Sequence, residues 1–209
     1  MHGLMSGIEF IMRGGFMMYP LLLSALIALT VIIERVYLFS SRYQIPTTLV
    51  DKALNLLRAG KTQEASEVLT QSTSPARDVL LAGIKNFGGS TELMEVAMKN
   101  QAESWVPRLE KRIEIIDTVI TAAPLMGLLG TITGMMASFQ VLSEKGVNEP
   151  HAITGGVAEA LIATATGLVI ALVCLVAYNY LNARVKNTLY DLESIASRVN
   201  EAKLVSQKG

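Results

Sequence analysis

Three side chains in this sequence have the chemistry and the setting to guide a small cation: the hydroxyls of Thr131 and Thr164 and the carboxyl of Glu159. A threonine hydroxyl donates one hydrogen bond and accepts others without titrating, so it can line a route but not carry a proton along it. Pro124, Gly127, Thr131, Gly134 and Ser138 recur at steps of three, four, three and four and therefore share a helix face, with Asp117 seven residues before Pro124 on that face. Ala160, Thr164, Gly167, Ala171 and Cys174 form a comparable stripe. Glu159 precedes Thr164 by five residues, about 140° around an ideal helix, and so lies beside that stripe with Ala163, Thr166 and Ile170. Two readings of these faces stand side by side. Small residues let helices pack closely, a pattern that Gly130 and Gly134 also satisfy. The same hydroxyls can present a weakly polar wall inside a membrane. Glu159 is likewise either a solvated helix cap or part of an ion route.

Other chemistries are poorly supplied. GLLGTITG at 127–134 is glycine-rich, but it lies inside an apolar run and no Lys-Ser/Thr follows, so it is not a nucleotide loop. His2 and His151 are the only histidines, which excludes a His metal cluster within the membrane and leaves no Ser-His-acid set. Cys174 is the sole cysteine, so no intrachain disulfide forms. A formal net charge of zero offers nothing to nucleic acid. The expectation is a protein without enzymatic activity, cofactor or metal. No Asp, Glu, Lys or His lies near the middle of any apolar run. A cation path made here needs its mid-membrane carrier from another chain.

The elements that must position these residues are membrane helices. Hydrophobic residues make up 51% of the 209-residue chain and charged ones 17%, against about 25% in ordinary soluble domains. The runs 118–143 and 160–183 contain no charge, and each exceeds the roughly 20 residues that a bilayer-spanning helix needs. A third run, 16–33, ends at Glu34-Arg35. It is too long for the apolar part of a signal peptide, and LIALTVIIER offers no small-x-small cleavage site. Glu34 and Arg35 are expected to snorkel to the interface or to pair with a neighbouring helix. Sixteen of the eighteen Lys and Arg residues lie between runs one and two or after run three, which the positive-inside rule makes cytoplasmic. The N-terminus is then periplasmic and the C-terminus cytoplasmic.

The expected class is an all-α membrane protein with three transmembrane helices, spans two and three extending into a cytoplasmic helical bundle. The expected segments are a periplasmic lead-in at 1–15 (GIEFIMR suggests an interfacial helix), span one at 16–39 and a cytoplasmic helical segment at 40–115. Span two at 116–142, a periplasmic loop at 143–156, span three at 157–183 and a C-terminal helix at 184–209 complete the order. Within 40–115, apolar spacing predicts helices over 48–59 with Leu49, Ala53, Leu56 and Leu57 inward, over 62–69 with Ala65, Val68 and Leu69, from Pro75 through Leu80, Leu81 and Ile84, and from Thr91 with Met94, Ala97, Met98 and Ala102 inward. Trp105, Leu109, Ile113, Ile116 and Ile120 predict one continuous helix from about Pro107 into span two. Val185, Leu189, Leu192, Ala196 and Val199 continue span three as a heptad-like stripe.

APLMGLLGTITGMMASF at 123–139, followed by GGVAEALIATATGLVIALVCLVAYNYL at 155–181, resembles the ExbB/TolQ/MotA family of proton-channel motor subunits, the ExbB/TolQ branch most closely. The resemblance extends over the whole chain. It implies a bacterial inner-membrane protein, a homopentamer enclosing two copies of a small ExbD/TolR-like single-span partner whose membrane Asp takes up and releases the proton. It also implies that Thr131 and Thr164 line the pore, that Glu159 stands at its mouth, and that the work passes to a TonB- or TolA-like protein. Where many relatives have Pro in the third span, this chain has Val173. The alternative expectation is a structural membrane scaffold whose Gly/Thr faces only pack helices.

Overall fold

The computed structural model describes the backbone of residues 14–70, 72–145 and 150–207, and their side chains except at 145 and 150–153. The stretch GIEFIMR lies outside the described residues. The elements are α1 (Met18–Ser41), α2 (Thr47–Arg58), α3 (Thr62–Leu69), α4 (Pro75–Lys85), α5 (Thr91–Glu103), α6 (Val106–Glu110), α7 (Ile113–Lys145) and α8 (Pro150–Ser206). No strand occurs among the described residues. α1, α7 and α8 are each long and apolar enough to cross a membrane. The chain is therefore an all-α membrane protein with three candidate spans and a helical bundle. Helix occupies most of the stretch expected as a loop at 143–156, because α7 runs on to Lys145 and α8 opens at Pro150, whose fixed φ and missing N–H suit a first helical position.

The chain divides into two compact units, one of Met1–Ile33 with Arg112–Asn179 and the other of Glu34–Lys111 with Tyr180–Gly209. In the first unit, Leu22, Leu26, Leu125, Ile132, Leu168 and Leu172 are exposed while small residues face inward. Such an inverted surface suits lipid, where apolar contact with solvent carries no penalty and helices associate through close backbone approach.

The second unit has an apolar core. Val50, Leu54, Leu57, Leu69, Val79, Leu80, Met94, Met98, Leu192 and Val199 are buried together. In α2 the buried residues are Val50, Ala53, Leu54 and Leu57, so the face is turned from the one expected, with Leu49 and Leu56 only half-buried. α2 ends in a Schellman motif: Lys61 N–H donates to Leu56 O, Gly60 N–H donates to Leu57 O, and Gly60 takes φ +73°. The Ser90 hydroxyl accepts from Leu93 N–H and caps α5. Lys203 is 1% exposed and donates through Nζ to Gly89 O at 2.6 Å, tying the end of α8 to the α4–α5 turn.

The continuous helix expected from Pro107 into span two is broken. Pro107 sits in the first turn of α6, Lys111 leaves helical geometry with ψ 128°, and Arg112 takes φ +66° before α7 begins at Ile113. Trp105, Leu109, Ile113 and Ile116 are all buried regardless of the break. Periodicity reported which residues face inward; it could not report a two-residue reversal that keeps the same residues inside. Arg35 is 1% exposed, and its Nη1 donates to Arg108 O at 3.2 Å, a carbonyl that α6 is too short to satisfy itself. This is the second of the two expected roles, pairing with a neighbouring helix, and it lies within the second unit. Phe39, Tyr43 and Trp105 form an edge-to-face run there, with the Arg108 guanidinium 4.8 Å from the Trp105 ring centroid.

Candidate functional site

Small residues on α7 and α8 build one seam in the first unit. A Cβ added at Gly127 would lie 3.0 Å from both Ala163 O and Thr164 Cα, one at Gly134 2.9 Å from Gly156 O, and one at Gly167 2.4 Å from Ala123 O. These are backbone atoms and cannot swing aside, so the two helices touch main chain to main chain. Ala160 and Ala163 fill the spaces between, at 2% and 1% exposure. The pairing of 127 with 164 and of 134 with 156–160 sets an antiparallel register. Alternating small residues every three or four positions made this approach possible.

The two threonines meet this seam differently. Thr164 Oγ1 donates across it to Gly127 O at 2.9 Å, whereas Thr131 Oγ1 donates within its own helix to Leu128 O at 2.6 Å. Both are half-buried. Gly127 is level with Thr164, and Thr131 is four residues further along, so the two threonines are offset by about 6 Å of helix rise, roughly one turn. Each commits its proton to a carbonyl and keeps oxygen lone pairs as acceptors. Ser138 is 4% exposed, donates to Gly134 O at 3.0 Å and lies against Gly156, where it closes the end of the seam. Gly130 meets Ala163 and Met17, Ala171 is 9% exposed, and Pro124 is half-buried within α7.

Glu159 is half-buried one and a half turns from Thr164, about 7.5 Å of helix rise, and lies against the Gly15 backbone. Asp117 is exposed and about 21 Å of helix from Thr131, so it is not gathered with the other two groups. Glu34 and Arg35 belong to the second unit. Ala163, Gly156 and Gly15 were not singled out from the sequence as site residues. The Gly-Gly pairs at 14–15 and 155–156 carried a signal of sharp turns or close approach, but not of what would be approached. Among the described residues no group of three His, Cys, Asp or Glu is placed to hold a metal ion.

An apolar, three-span helical architecture with a charge-free seam of this kind defines a polytopic membrane protein built to pack helices tightly while exposing hydroxyl acceptors. The chain belongs to the MotA/TolQ/ExbB proton channel family, whose model matches residues 71–194. It is 32% identical over 170 residues to the putative biopolymer transport protein ExbB-like 3 of Synechocystis, covering 80% of this chain and 81% of that one. The biopolymer transport protein ExbB of Aquifex aeolicus is 41% identical over 118 residues, 56% of this chain and 78% of its own. The Tol-Pal system protein TolQ of Haemophilus influenzae is 40% identical over 97 residues, 46% and 41% respectively. Relatives bearing both names put the chain on the ExbB/TolQ side of the family, a transport and channel family rather than one of enzymes.

Proposed function

We propose that the protein is the wall of a proton path in the bacterial inner membrane, coupling the proton motive force to work at the outer membrane. Membership of a proton channel family combines with one decisive property of the spans: 118–143 and 160–183 contain no ionisable carrier. The carrier is then the membrane Asp of an ExbD/TolR-like single-span partner, enclosed by a homopentamer of this chain. Thr131 and Thr164 serve it as acceptors. With their protons committed to Leu128 O and Gly127 O, their lone pairs can receive a hydrogen bond from a protonated carboxyl or from water. Protonation neutralises the Asp and lets it pass the low-dielectric wall; release recharges it and holds it at a polar vestibule. Glu159 stands at the mouth of this route. Basic residues flanking the spans support a periplasmic N-terminus and a cytoplasmic second unit. The motion of the inner helices passes to a TonB-like protein or, in the Tol-Pal alternative, to a TolA-like one.

Thr131→Val and Thr164→Val test the wall. Both variants are expected to assemble with the partner and to lose energised uptake; wild-type uptake in both would exclude the pore assignment. A second reading, a scaffold that only packs helices, is favoured by the backbone contacts at Gly127, Gly134 and Gly167. Copurification separates the two, since the motor must bring down a single-span protein with a membrane Asp and a scaffold need not.

A further inference from the structure

The turn that leads into α1 has a feature that the wall assignment leaves unexplained. Gly15 takes φ +70°, and a Cβ built on it would fall 1.4 Å from Glu159 Oε1, 2.3 Å from Cδ and 2.8 Å from Cγ. The carboxylate thus occupies the space that any side chain at position 15 would fill. The same turn touches both helices of the seam: a Cβ at Gly14 would lie 3.2 Å from Ile162 Cγ2, and Met17 Cβ stands 3.3 Å from where a Cβ on Gly130 would be. Met18 N–H donates to Gly15 O at 3.1 Å, which fixes the turn to the start of α1.

We propose that the Gly14-Gly15 turn is the seat of the Glu159 carboxyl, a positioning element that holds this acid against α8 beside the seam. The proposal rests on the reading of Glu159 as the acid at the mouth of the route. Glycine at 15 is required twice over, by its left-handed backbone and by the absence of a side chain where the carboxyl lies. With the seat filled, Glu159 must rotate away from α7 and α8, and an ion leaving the level of Thr131 and Thr164 meets no carboxylate at the expected place.

The test reads the carboxyl itself. Native membranes containing the full protein are treated with dicyclohexylcarbodiimide, and modification of Glu159 is quantified by peptide mass spectrometry for wild type, Gly15→Ala and Gly155→Ala. A methyl added at Gly155 would have no neighbour within 4 Å, which makes that variant the control for an added methyl alone. Gly15→Ala is expected to raise labelling of Glu159 several-fold while Gly155→Ala leaves it at the wild-type level. Equal labelling in all three, at equal protein levels, overturns the seat. If Gly15→Ala fails to accumulate, Glu159→Ala in the same chain must raise accumulation, because it removes the group that the new methyl strikes and leaves only the left-handed strain at residue 15; no rise at all also overturns it. This outcome is independent of transport, so a seat without pore function and a pore without a seat give different results.

Discussion

Gly167→Ala is the sharpest probe of the seam. The new methyl carbon would start 2.4 Å from Ala123 O and 3.2 Å from Ala123 C, both main-chain atoms of α7. Ordinary contact requires about 1 Å more, and only separation of α7 from α8 supplies it. Overpacking of this kind costs about 1–3 kcal/mol. The Thr164–Gly127 hydrogen bond, now 2.9 Å, lies one turn away and would be stretched past useful length, a further loss of about 0.5–1.5 kcal/mol. Alanine returns about 1 kcal/mol through its helix propensity. The net destabilisation is about 2 kcal/mol, which for a chain of this size lowers the melting temperature by roughly 4–8 °C. Thermal unfolding of the detergent-purified protein, followed by helical circular dichroism, measures it. Gly155→Ala on the same helix meets nothing within 4 Å and should melt at or slightly above wild type. A Gly167→Ala protein as stable as wild type would refute the main-chain contact, and with it the register that sets Thr131 about one helix turn from Thr164.

Arg35→Ala should cost about 2–5 kcal/mol, because it empties a fully buried site beside α6. Arg35→Met keeps most of that volume and should recover more than half of the loss in the same melting assay, as expected when a buried guanidinium with an unsatisfied Nε is exchanged for an apolar chain. Gly60→Ala should lower stability by about 1–2 kcal/mol through left-handed strain alone, since the nearest atom to its added methyl is Ser206 Oγ at 3.7 Å. Gly88→Ala, with no neighbour within 4 Å and no positive φ, should leave the melting temperature unchanged in parallel.

The sequence determined the class of protein and the inward face of most elements. Uncharged runs fix which segments can cross a bilayer, because a charge in hydrocarbon is costly whatever the fold around it. Of the residues that apolar spacing marked, Ala65 and Leu69 in α3 and Met94, Met98 and Ala102 in α5 are buried, while Val68 and Ala97 are half-buried. Sequence spacing also placed Thr131 and Thr164 on stripes of small residues, since helical phase is a local property. Only the tertiary structure decided what those stripes touch. A glycine stripe allows close approach without naming the partner, and the backbone distances at Gly127, Gly134 and Gly167 assign it to the α7–α8 pair. The reversal at Lys111-Arg112, the burial of Arg35 against Arg108 O and the seating of Glu159 on Gly15 were equally beyond the sequence. Each depends on residues far apart in the chain meeting at a distance of a few ångströms, and no periodicity within one segment encodes that.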